Sequence, residues 1–211
     1  MIKRELYMNR IRPFIGGELI KVMTGIRRSG KSVMLELIKE ELAEAGVAPS
    51  QMISINFEDM RYSHLQTATA LHDEIIKRAE GIEGKAYLFF DEIQEVEGWE
   101  KCVNSLRVAL DCDIYITGSN AKLLSGELAT YIGGRYVEFV IYPFSFAEFL
   151  ELYHTIAPSD SIQQCFQKYL LAGGMPYLAN LRYEEEPSRQ YLTDLFNSVQ
   201  LKDIVKRNKI R

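Results

Sequence analysis

The sequence is poor in cysteine: Cys102, Cys112 and Cys165 are its only three, and none belongs to a C-x-x-C pair. That spacing offers neither a disulfide framework nor a structural zinc site, and it suits a reducing compartment. His64, His72 and His154 are scattered, without metal-ligand spacing. No uninterrupted apolar run is long enough to span a bilayer, and the opening Met-Ile-Lys-Arg-Glu-Leu-Tyr lacks the apolar centre of a secretory signal. The expectation is a soluble, cytoplasmic protein with no membrane partner. Positive charge is not in excess either, since the net charge is −4, which argues against a general nucleic-acid-coating protein. Internal repeats and low-complexity segments are missing, so a solenoid is not indicated.

What is present is an ordinary globular composition. At 211 residues and 47% hydrophobic content, the chain can bury the core of one α/β domain and carry a smaller appendage. Strand patterns fall at Leu19 to Thr24, Met52 to Phe57, Ala86 to Asp91, Asp113 to Thr117 and Tyr136 to Tyr142. Helical periodicity at Ser32 to Ala45, Ala68 to Ala79 and Trp99 to Leu110 separates most of them. This alternation predicts a mostly parallel sheet covered by helices on both faces, with ligands beyond the carboxyl ends of its strands. After Pro143 the pattern becomes helical, with candidates at Ser145 to His154, Ser161 to Leu171 and Ser188 to Lys206. We therefore expect an α/β domain over residues 1–150 and a helical lid or linker over 151–211. The last helical pattern meets no stop signal, which suits either the start of a further domain or a natural C-terminal helix.

Gly25-Ile26-Arg27-Arg28-Ser29-Gly30-Lys31-Ser32 fits the phosphate-binding pattern G-x-x-x-x-G-K-[ST], and it lies between a strand and a helix as that pattern requires. Glycines let the backbone N–H groups of such a loop wrap a phosphate, and the helix N-terminus that follows, through Val33, favours negative charge. Lys31 is expected to reach the β- and γ-phosphates, and the Ser32 hydroxyl to bind Mg²⁺. Tyr87-Leu88-Phe89-Phe90-Asp91-Glu92 supplies the complementary acids. Asp91 is expected to hold the Mg²⁺ water shell, and Glu92 to orient a water for attack on the γ-phosphate. Ser119 and Asn120, after the fourth strand, are candidates for sensing that phosphate, or alternatively for capping a helix. Arg135, after Gly133-Gly134, is a candidate arginine finger acting within or between subunits. Glu58, Asp59 and Arg61 are expected to solvate a loop. The absence of an N-K-x-D tetrapeptide favours ATP over GTP.

Taken together, Gly25 to Ser32, Tyr87 to Glu92, Tyr115 to Asn120 and Gly133 to Phe149 resemble the AAA_14 family of prokaryotic AAA-type ATPases. Gly134-Arg135 and Tyr142-Pro-Phe-Ser-Phe-Ala-Glu148 are the most specific part of the likeness. The resemblance covers about residues 10 to 180 and implies an additional-strand P-loop sheet with strand order 5-1-4-3-2. It also implies a second region, with winged-helix-like and nuclease-like parts, that this sequence does not contain. Two functions are expected to compete. One is a Mg²⁺-dependent ATPase, a homo-oligomer if Arg135 acts between subunits, that couples nucleotide state to movement of the helical region. The other is a nucleotide-dependent DNA- or protein-binding module with little hydrolysis, supported by the basic run Lys202 to Arg211. A small-molecule kinase is disfavoured, because no acceptor-binding motif is evident.

Overall fold

The computed structural model describes residues 2–118 and 132–199. Ser119, Asn120 and the basic run Lys202 to Arg211 therefore lie outside the described residues. The chain divides into two compact units, one of residues 3–26 and 31–141, the other of residues 142 onward together with 2 and 27–30.

The first unit is built on strands β1 (Ile20–Thr24), β2 (Met52–Asn56), β3 (Ala86–Asp91), β4 (Cys112–Thr117) and β5 (Tyr136–Val140). Every pairing is parallel, and the order across the sheet is β2-β3-β4-β1-β5. That is the order 5-1-4-3-2 implied by the AAA resemblance, counted from the opposite edge. Side chains alternate across such a sheet, and both faces are covered. Leu88, Phe90, Ile114 and Ile116 pack with Leu71 and Ile75 of α3 (Ala68–Ala79) and with Val103 and Leu106 of α4 (Trp99–Ala109). Met23, Phe89 and Tyr115 point the other way, onto Tyr7, Met8 and Ile11 of α1 (Glu5–Ile11) and Met34 and Ile38 of α2 (Lys31–Glu44). Helix α1 was not expected; two turns are too short for a periodic pattern to stand out.

A buried polar group sits at the amino ends of β1 and β4. Lys21 and Asp113 are fully buried and form an ion pair. Lys21 Nζ also donates to Phe14 O (3.2 Å) and Gly17 O (3.4 Å). Asp113 Oδ2 accepts from Gly16 N and from the Tyr115 hydroxyl, each at 2.7 Å. Burial pulls the Lys21 pKa down, with Asp113 opposing it, and pushes the Tyr115 phenol well above its ordinary range.

The second unit is helical, as expected after Pro143: α5 (Phe146–Tyr153), α6 (Ile162–Ala172) and α7 (Glu185–Val199). Helix α7 starts earlier than the expected Ser188, and Pro187 lies in its first turn, where its missing N–H costs no intrahelical bond. Ser145 with Glu148, and Ser161 with Gln164, form capping boxes on α5 and α6. The small core is aromatic, with the Phe149 ring 5.1 Å from Tyr153 and 5.0 Å from Tyr183. Phe144 N donates to Gly174 O (2.7 Å), and the Tyr169 hydroxyl donates to Phe144 O (2.9 Å). A Cβ at Gly174 would stand 2.1 Å from Phe144 O, so only glycine fits there. The stretch Tyr142 to Glu148, part of the most specific portion of the family likeness, thus frames this unit. No helix among the described residues is long and apolar enough to cross a membrane.

Candidate functional site

Parallel strands present their ligand-binding groups beyond their carboxyl ends, and there the sheet gathers its polar side chains. Strand β1 ends at Thr24, and Gly25 (φ 141°) turns the chain into the loop that ends at Gly30 (φ 99°) and Lys31. Within the loop Arg28 adopts the left-handed conformation (φ 62°), a geometry that aims successive N–H groups inward. Lys31 opens α2 and is only 5% exposed, and its Nζ donates to Gly25 O and Ile26 O, each at 3.2 Å. Ser32 and Val33 follow in the first turn and are exposed.

Across from the loop, β3 ends at Asp91, which is buried yet held on both oxygens. Thr117 Oγ1 donates to Asp91 Oδ1, and Asn56 Nδ2 donates to Asp91 Oδ2 (3.0 Å). Glu92 N in turn donates to Thr117 Oγ1 (3.0 Å). A hydroxyl has one hydrogen, so Thr117 accepts from Glu92 and gives its proton to Asp91. Glu92 itself is left-handed (φ 56°), a conformation that costs a non-glycine residue about 1–2 kcal/mol and persists only where neighbours enforce it. Its carboxylate spans two partners, with Oε1 4.0 Å from Lys31 Nζ and Oε2 accepting from Gln94 Nε2 at 2.5 Å.

The structure therefore brings together Lys31, Asp91 and Glu92. Arg135 is not among them. It precedes β5, where its carbonyl accepts from Ile20 N and its exposed guanidinium donates to Asn104 Oδ1 (2.8 Å). Gly25 lies five strand positions beyond Ile20, or roughly 17 Å along the sheet. Arg135 thus stands at the end of the sheet opposite the loop, and a contact with its own chain's loop is ruled out. In the second unit, Arg27 Nε is buried with no hydrogen-bond partner among the described residues, and Arg28 lines a cavity of about 270 Å³ with Tyr177, Tyr191 and Asp194. Asp59 caps a short turn and binds Arg61 (2.6 Å), which lowers its carboxyl pKa, consistent with a loop role. Thr117, Asn56 and Gln94 were not anticipated. The first two are the last residues of their strands, which is the one signal that marks them.

A family model described as an AAA domain, AAA_14, matches residues 18–150. The chain belongs to this family. Two relatives are an uncharacterized protein of Haemophilus influenzae, 41% identical over 208 residues, and uncharacterized protein MJ1544 of Methanocaldococcus jannaschii, 34% identical over 201 residues. These alignments cover 98% and 91% of this chain but 51% and 43% of those proteins, so this AAA domain spans about half the length of the curated relatives it matches. Its fold is similar to that of AMPPCP-bound DnaA from Aquifex aeolicus, with a TM-score of 0.55 at 14% identity, covering 99% of this chain and 66% of that one. A RuvB mutant from Thermotoga maritima has a TM-score of 0.51 at 15% identity, covering 96% and 69%. The Aeropyrum pernix ORC1 protein in complex with DNA has a TM-score of 0.50 at 14% identity, covering 95% and 66%. Similarity at these identities concerns the fold. This is an AAA-family nucleotide-binding domain.

The residues present fit a magnesium nucleotide. The loop supplies cationic donors, Lys31 is held at the loop's end by the carbonyls of Gly25 and Ile26, and Ser32 offers an exposed hydroxyl at a helix start. Asp91 already accepts on both oxygens, so it suits hydrogen-bonding to metal-bound water better than direct ligation.

Proposed function

We propose that this AAA domain binds ATP with Mg²⁺ and hydrolyses it to ADP and phosphate, and that the exchange drives movement of the helical region after residue 142. The observation that carries the reading is the constellation of Lys31, Asp91 and Glu92 around Thr117 at the carboxyl edge of a parallel sheet. In this reading the N–H groups from Gly25 to Val33 cradle the phosphates. Lys31 leaves Gly25 O and Ile26 O for a phosphate oxygen. Ser32 ligates the metal, and Asp91 holds its water shell. The metal, when bound, offsets charge on the β- and γ-phosphates. Glu92 accepts a proton from water as the water oxygen bonds to the γ-phosphorus and the bond to the β-phosphate oxygen breaks. Ser119 or Asn120 would sense the γ-phosphate.

Phosphate release tests this directly. Lys31→Ala is expected to lose nucleotide binding. Glu92→Gln is expected to bind ATP and to hydrolyse it about 10²- to 10⁴-fold more slowly. Full turnover by Glu92→Gln would sink its assigned role. Arg135, standing away from its own loop, would act as a finger on a neighbouring copy. Turnover per subunit should then rise with protein concentration, and a flat dilution series would count against a homo-oligomeric site.

A second reading is a nucleotide-dependent module that binds DNA or protein and hydrolyses little. It draws on the basic run Lys202 to Arg211 and on the fold likeness to an ORC1 protein solved in complex with DNA. Salt-sensitive DNA binding that survives deletion of Lys202 to Arg211 would remove that support.

A further inference from the structure

We infer that Gln94 is a positioning residue for this hydrolysis: its side-chain amide fixes Glu92 Oε2, so that Oε1, the oxygen facing Lys31, is the one presented to water. The inference rests on the ATPase reading above and adds to it a residue that the motifs do not contain.

The local fold explains how Gln94 reaches its place. Glu92, left-handed, turns the chain out of β3 into the short turn Ile93–Glu95. Ile93 is fully buried and anchors that turn in the core, which returns Gln94 beside Glu92. The contact is short, 2.5 Å from Gln94 Nε2 to Glu92 Oε2. Chemistry fixes the amide's orientation, because a carboxylate only accepts and the NH₂ side must face it. Its other end shows what this orientation displaces: Gln94 Oε1 is buried with no hydrogen-bond partner among the described residues. A buried acceptor left unpaired is unfavourable, so the contact to Glu92 outweighs it.

Two groups act on the Glu92 carboxylate, one at each oxygen. Lys31 lies 4.0 Å from Oε1, beyond hydrogen-bond distance but close enough to attract it. Thr117 holds the Glu92 backbone, yet nothing on the backbone restrains the torsions of its side chain. Without the Gln94 donor, the carboxylate can turn toward Lys31 and join the base to the phosphate-binding cation. With nucleotide bound, Lys31 faces the phosphates and a Glu92 carboxylate without its Gln94 anchor samples other rotamers, so the penalty should fall on the chemical step.

The test compares Gln94→Met and Gln94→Glu with the wild type and with Glu92→Gln, reading kcat, KM, nucleotide affinity and thermal unfolding. Gln94→Met keeps the length and removes the donor. It is expected to lower kcat about 10- to 100-fold, the scale of a misplaced catalytic group, and to leave nucleotide affinity within about threefold. Gln94→Glu places a second carboxyl against Glu92, and two carboxyls so close share a proton. When protonated, the new carboxyl can donate as the amide does. Its activity relative to wild type is therefore expected to recover as pH falls from about 8 to about 6. The charged neighbours Lys31 and Asp91 act on the new carboxyl in opposite directions and set where within that range the recovery falls.

Wild-type kcat in Gln94→Met, alongside an active wild type and a dead Glu92→Gln, overturns the inference while leaving the ATPase reading intact. A wild type that never releases phosphate with Mg²⁺ overturns both. Should Gln94→Met fail to fold, the pH ratio of Gln94→Glu decides, and a flat ratio overturns the inference.

Discussion

Lys21 at the amino end of β1 and Lys31 just past its carboxyl end are both buried lysines beside carboxylates, yet their surroundings differ in kind. Lys21 Nζ has an acceptor for each of its hydrogens in Asp113, Phe14 O and Gly17 O, and Asp113 is matched by Gly16 N and the Tyr115 hydroxyl. Lys31 instead donates to the carbonyls of Gly25 and Ile26 at 3.2 Å, and Glu92 Oε1 lies 4.0 Å from it. Near it stand a strained Glu92 backbone and a Gln94 oxygen with no hydrogen-bond partner among the described residues. A closed network of buried charges rigidifies the place it occupies, whereas a lysine held by neutral carbonyls keeps its charge for an incoming anion. One sheet thus carries a lysine bound by a carboxylate at its amino end and a lysine bound by the loop's own carbonyls past its carboxyl end.

The sharpest way to break that comparison is to remove one carboxylate from each end. Asp113→Ala strands the Lys21 charge in the core and is expected to cost about 3–5 kcal/mol of unfolding free energy. Glu92→Gln should leave the denaturant midpoint almost unchanged, its large effect falling on turnover. Equal destabilisation by the two, read from urea unfolding, would show that the ends do not differ as described.

Thr117→Val comes next, because this residue belongs to the loop end but is matched as tightly as anything at the other. Valine keeps the shape, removes the donor to Asp91, and leaves Glu92 N–H without its acceptor. The expected cost is about 1–3 kcal/mol together with slower hydrolysis, and Thr117→Ser should restore both. Slower hydrolysis with no loss of stability would mean that the hydroxyl acts on the nucleotide rather than through the acids.

What the sequence made legible follows the same division. The loop, Asp91 and Glu92 were readable because phosphate binding fixes glycine and lysine spacing, and because a doubly buried strand such as Tyr87 to Phe90 is a continuous apolar run. Strand order came from the family likeness rather than from periodicity. Lys21 and Asp113 gave no signal: each is one charge inside an apolar strand, and their pairing appears only when β1 and β4 lie side by side. The left-handed Glu92 was equally hidden, since glutamate has no preference for that conformation. Arg135 stood beside flexible glycines, but the register of Ile20 with Tyr136 sets it at the amino end of the sheet.

Tyr115→Phe is the smallest and finest probe, because it removes one hydrogen bond from the closed network without opening a cavity. Asp113 Oδ2 would keep only Gly16 N, and the loss should be about 1 kcal/mol near neutral pH. The sign of its pH dependence follows from burial, which raises the phenol's pKa in the folded chain. Above about pH 10 the unfolded chain sheds this proton while the folded chain keeps it, so the stability contributed by Tyr115 falls as pH rises. Phenylalanine has no such proton, and the gap between wild type and Tyr115→Phe should therefore shrink, then reverse, in unfolding curves taken from pH 8 upward. A gap that stayed constant would mean that the hydroxyl reaches water, and that the amino end of the sheet is no more closed than the loop end.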